Sequence, residues 1–114
     1  MKIFLGVFIA AHISMQSAAF AAEVSLGDLS PDARFDLTCL EAAAIGSRAF
    51  TDPAVQRATE STSSFFLGRL SVRLGAQNWG ALMKADAEYT NRKPDWHRAA
   101  LADCVEKMQG LIRP

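Results

Sequence analysis

The sequence predicts an all-α protein: a single small bundle of four helices, five if the second one breaks, closed by one disulfide. Three observations point there. Apolar residues recur at helical spacing in four segments, each opened by a capping residue. No segment alternates with period two for long enough to make a strand. The 114-residue chain also has two cysteines, Cys39 in the first helical segment and Cys104 in the last.

The N-terminus reads as a targeting segment. Met1-Lys2 gives a positive start, Ile3 to Ile13 is apolar apart from His12, and Ala19-Phe20-Ala21 has the small-x-small form of a cleavage site. The apolar run is shorter than the roughly 20 residues that span a bilayer. Residues 1–21 are therefore expected to be a cleaved signal peptide, 22–30 a flexible leader and 31–112 the bundle domain. In an exported chain, two cysteines most simply form a bridge, here Cys39 with Cys104. A bridge of this span stabilises a fold by roughly 4 kcal/mol in the chain-entropy account.

Each helix has a start and a stop. Ser30 caps helix one and Pro31 fits its first turn, with the helix running to about Phe50. Phe35, Cys39, Ala42, Ala43, Gly46, Ala49 and Phe50 share one face, with Arg34, Glu41 and Arg48 opposite. Asp52 and Pro53 open helix two, which extends to about Gly75. Its run Thr59 to Ser64 is rich in hydroxyls that compete for backbone hydrogen bonds, so a bend or break is expected there. Asn78 caps helix three, which carries Trp79, Leu82 and Met83 inward, with Tyr89 a further candidate. Asp95 caps helix four, about Trp96 to Gly110, and the inward set is Ala100, Leu101, Cys104, Val105, Met108, Leu111 and Ile112.

Helix two raises the sharpest structural question. At 100° per residue, Ser61, Ser64, Gly68, Ser71 and Gly75 form a ridge of small residues. Gly68 costs about 1 kcal/mol relative to alanine in a helix, which suggests a packing reason. The ridge is expected to lie beneath helix one or four. The alternative is an outward surface for a partner or a second copy. Arg69 and Arg73, one turn apart, could grip a partner carboxylate or pair within the chain with Glu41 or Asp86. Gly68, Arg69 and Arg73 are thus the candidate partner contacts.

The chemistry-bearing residues are sparse. His97 falls on the inward arc of helix four, a candidate pH-sensitive group. One domain histidine and two bridged cysteines do not make a zinc site. His97 with Met83 or Met108 would supply haem ligands only in principle, since methionines at helical spacing are ordinarily core. Ser61, Ser63 and Ser64 lack a nucleophile elbow, and the carboxylates are scattered. The sequence gives no catalytic, cofactor or metal site, and the reading is of a protein that is not an enzyme. Twelve basic and twelve acidic residues leave no excess positive charge for nucleic acid. Beyond the signal peptide no segment is apolar enough to span a membrane. Trp79, Trp96 and Tyr89 border the Arg92-Lys93-Pro94 turn, as a lid on the core or a contact patch.

The layout of Cys39 in "LTCLEAA", "FFLGRL" from Phe65 to Leu70 and Cys104 in "ADCVEKM" resembles a group of small exported Gram-negative, sphingomonad-like helical proteins with no assigned activity. This resemblance implies a periplasmic location. More distantly, Thr38-Cys39 followed by apolar residues is similar to HdeA-like periplasmic chaperones, which implies acid-triggered exposure of apolar surface to unfolded clients. Phe65-Phe66-Leu67-Gly68 is similar to the aromatic-x-x-Gly segment of Rap1a/Tai-type immunity proteins, which implies the blocking of a secreted toxin. The expected function is noncovalent protein binding, chaperone-like in envelope stress, by a monomer or homodimer. The alternative is an immunity or inhibitor protein for one secreted effector.

Overall fold

The computed structural model describes residues 24–113; the expected signal peptide lies outside them. The chain is an all-α bundle of four helices closed by one disulfide. A short 3-10 turn, Leu26–Asp28, precedes α1 (Pro31–Ala49), α2 (Pro53–Leu74), α3 (Trp79–Thr90) and α4 (Trp96–Ile112).

The caps act largely as the sequence predicts. Ser30 accepts from Ala33 N–H, Asp52 from Ala54 N–H and Asn78 from Ala81 N–H. Each satisfies a helix-end donor that would otherwise lack an intrahelical partner. Asp95 precedes α4 but makes no side-chain cap bond. There, a turn in which Trp96 N–H donates to the Lys93 carbonyl leads the chain into the helix. Gly75 ends α2 at φ 73°, a left-handed setting open to glycine without strain.

The core forms where α1 lies between its neighbours. Leu37, Leu40 and Ala33 of α1 meet Leu70 of α2 and Leu82 of α3, with Trp79 and Met83 packed at the margin. Cys39, Cys104 and Phe66 form a second cluster. The Cys39–Cys104 bridge spans 65 positions with Cα atoms 5.6 Å apart and ties α1 to α4 through its centre.

Several further expectations change. Residues 24–30 are tied down and not a loose leader. Val24, Leu26 and Leu29 pack on the core, and Val24 N–H donates to Gln77 Oε1. Helix α2 does not break at its hydroxyl run. Thr59 and Thr62 donate to the Val55 and Ala58 carbonyls four residues back, so their hydroxyls are satisfied inside a continuous helix. Phe35, Ala49, Tyr89, Leu111 and Ile112, all expected inward, are exposed. Tyr89 instead lies under the Arg34 guanidinium, and the last two residues extend past the end of the core.

A further change concerns the small ridge. Ser61, Ser64, Gly68, Ser71 and Gly75 are all exposed, and a Cβ at Gly68 would meet nothing within 4 Å. The buried positions of α2 are Thr59, Thr62, Phe66 and Leu70. Their spacing of three and four puts them on the opposite face. Two threonines in that inward stripe disguise it as polar. The glycine under close contact is Gly46 of α1: a Cβ there would come 2.9 Å from Leu101 Cδ1 and 3.0 Å from Thr59 Cγ2.

Candidate functional site

The open surface between α2 and α4 is a groove of about 520 Å³ lined by Phe50, Ala54, Val55, Ala58, Thr59, Thr62, Leu101, Ala102 and Val105. Phe50, just past the end of α1, and the first half of α2 build one side of it. Small residues on α2 (Ala54, Ala58) leave the room, and Val105 and Leu101 on α4 supply the facing wall. Most of the lining is carbon, and both threonine hydroxyls are turned to their own helix. The groove therefore offers buried apolar area and little hydrogen bonding. Such a surface takes apolar side chains.

His97 lies deep beside the groove. It is buried, packs edge-on to Phe50 at 6.2 Å between ring centroids, and neither ring nitrogen finds a partner among the described residues. The sequence places it inward correctly, but no backbone group meets it.

At the far end of the bundle, Asp32 and Asp36 of α1 meet three cations. Lys107 Nζ is 2.6 Å from Asp32 Oδ1 and 3.0 Å from Asp36 Oδ1. Arg73 donates to Asp32 at 2.8 Å, and Arg69 Nε to Asp36 at 3.1 Å. The two arginines thus form a clamp, but the carboxylates it grips belong to this chain and are neither Glu41 nor Asp86. Hydrogen bonds from Lys107 and Arg73, with their charges, hold the Asp32 carboxyl down at about 2. The network ties the start of α1 to the late turns of α2 and α4.

A second buried network joins α1 to α3. Asp86 accepts from Arg34 at 2.9 Å and from Arg92 at 3.0 Å. Arg92 also donates to Thr38 and stacks 4.2 Å from the Trp96 ring centroid. Glu41, expected on the outer face of helix one, is 5% exposed and lies in this network. Burial, then the neighbouring Asp86 carboxylate, pushes the Glu41 carboxyl up to about 9. Burial also disfavours the Asp86 charge, but the neighbouring Glu41 carboxyl and the hydrogen bonds from Arg92 and Arg34 outweigh it and hold Asp86 below its ordinary value. Glu41 is thus the neutral acid of the pair and Asp86 the carboxylate.

Sequence reasoning missed Asp32, Asp36 and the inward Glu41. One signal was available. Asp32 and Asp36 are four apart on one helix, Arg69 and Arg73 four apart on another, so matched charges face across a helix pair. Among the described residues no helix is long and apolar enough to cross a membrane. The chain matches no protein-family model, and no curated protein and no solved structure shows significant similarity to it.

Proposed function

We propose that the protein is exported to the periplasm and acts there by noncovalent protein binding, as a chaperone-like factor in envelope stress. The observation that carries this reading is the uncovered apolar groove between α2 and α4. Apolar segments of unfolded chains bury area there without needing matched polar partners. The bridge across the centre suits an oxidising compartment. Acid adds a trigger at the other end of the bundle. As pH falls from the ordinary carboxylate range toward 2, Asp32 gains a proton and releases Lys107 and Arg73. The core beneath, with Leu37 and Leu70, is then less firmly covered, while the bridge keeps the helices together. The test is aggregation of several unrelated client proteins. Suppression that strengthens on acidification supports the reading, and no suppression at any pH overturns it.

A second reading, an immunity or inhibitor protein for one secreted effector, is favoured by the exposed ridge on α2. The ridge is flat because its residues are small, and Val72 beside it is 92% exposed. A folded partner can approach such a surface closely. Gly68→Leu should then leave a folded protein that no longer captures its effector. Loss of folding in that variant would contradict this reading.

A further inference from the structure

A cleft of about 370 Å³ opens on the other side of α1, between α1, α3 and the turn before α4. Its walls are Ala44 and Ile45 of α1 and Met83 and Ala87 of α3, with the Trp96 ring at one end. Its volume falls at the small end of the range for ligand pockets. Three cations also line it: Arg48, Lys84 and Arg92.

The charges there do not balance. Arg92 is matched by Asp86, which it shares with Arg34. Arg48 and Lys84 form no ion pair among the described residues. Glu88 lies one helical turn beyond Lys84 and is not within ion-pair reach. The single acid in the lining is Glu41, whose Oε2 is buried with no donor facing it. It stays protonated beside Asp86 at neutral pH and contributes no negative charge. An apolar cavity with an aromatic wall and two uncompensated cations is complementary to one chemistry. That ligand has an apolar body and a single anionic head. Arg48 presents a guanidinium fork that binds a carboxylate through two parallel hydrogen bonds.

We propose that the α1–α3 cleft binds a small amphiphilic carboxylate, with its chain between Ile45, Met83, Ala87 and Trp96 and its head held by Arg48 and Lys84. This site is separate from the α2–α4 groove, so the two readings stand or fall independently.

The test is a heteronuclear NMR titration of the whole protein with sodium decanoate, compared with decyltrimethylammonium and with inorganic phosphate. Saturable shifts at the Trp96 indole N–H and the Ala87 and Thr90 amides are expected with decanoate alone. Arg48→Gln combined with Lys84→Gln should weaken decanoate binding about tenfold or more, the scale of losing charge-assisted contacts. Both side chains are free of ion pairs, so the fold should be unchanged, and the dispersion of the amide spectrum checks it. Ala44→Leu, which fills the cleft, should weaken binding without removing a charge. Four results would overturn the proposal: no saturable shift, shifts confined to Ala58 and Ala102, equal binding of the cationic amphiphile, or unchanged affinity in the double variant. Phosphate binding as tightly as decanoate would also overturn it, since the apolar body would then contribute nothing.

Discussion

Lys107 Nζ sits 3.0 Å from Asp36 Oδ1, so a cation on the last helix meets a fully buried carboxylate on the first. Arg69 approaches the same carboxylate from α2. Three helices therefore converge on one side chain. Asp36→Ala should leave Lys107 and Arg69 with only the half-exposed Asp32 to share and cost about 2–4 kcal/mol, discounted from a fully buried pair because both cations reach water. Urea denaturation measures it. A loss under about 0.5 kcal/mol, the scale of an ordinary surface change, would show that the network is not structural.

Asp32 and Glu41 give the protein two opposite pH slopes. The folded Asp32 carboxyl is held near 2, so its contribution is complete above the unfolded value and is lost as pH falls through that interval. Folded Glu41 keeps its proton up to about 9, whereas the unfolded chain releases it near 4.5. The folded state binds the extra proton between those values, so stability falls as pH rises through them. Thermal melts should therefore be highest in mildly acidic buffer. Glu41→Gln should flatten that fall, because the amide has no acid to ionise. An unchanged slope in Glu41→Gln would remove Glu41 as its source.

The two helical glycines should respond in opposite directions. Gly46→Val forces atoms against Leu101 and Thr59 and should cost about 1–3 kcal/mol. Gly68→Ala enters open space and gains helix propensity, so it should stabilise by up to about 1 kcal/mol. Equilibrium denaturation of both variants decides it. Destabilisation by Gly68→Ala would mean that the ridge is covered.

The frame of the bundle was legible in the sequence because local chemistry set it. Ser30, Asp52 and Asn78 are caps whose partners lie within three residues, and Cys39 and Cys104 fall on inward faces by spacing alone. What remained hidden depends on contacts between distant segments. Glu41 is buried because Arg92 and Asp86 from α3 and the following turn come to it. The inner face of α2 carries Thr59 and Thr62, whose hydroxyls are satisfied within the helix, so polarity gave the wrong sign there. Small residues on the ridge are equally compatible with contact and with water, and only the position of the neighbouring helices separates the two. The groove owes its shape to the gap between α2 and α4, which no spacing within either helix reports.

His97 offers a simple check on packing. Both ring nitrogens are buried without partners, so a ring of similar shape and no polar atoms should be tolerated. His97→Phe is expected to be neutral or stabilising by about 1 kcal/mol in urea denaturation. A large loss would mean that the imidazole has a partner after all.

The groove itself is tested most directly by filling it. Ala58→Trp puts an indole into the α2–α4 space from an exposed position and should leave the helical signal and the melt unchanged. Light scattering would then follow the aggregation of unrelated unfolded proteins near pH 7 and near pH 2, where Asp32 takes up its proton, with the native chain and with the variant. The native chain should suppress aggregation, more strongly at the lower pH, and the variant should lose most of that effect. Equal suppression by the filled variant, or none by the native chain at either pH, would contradict the account.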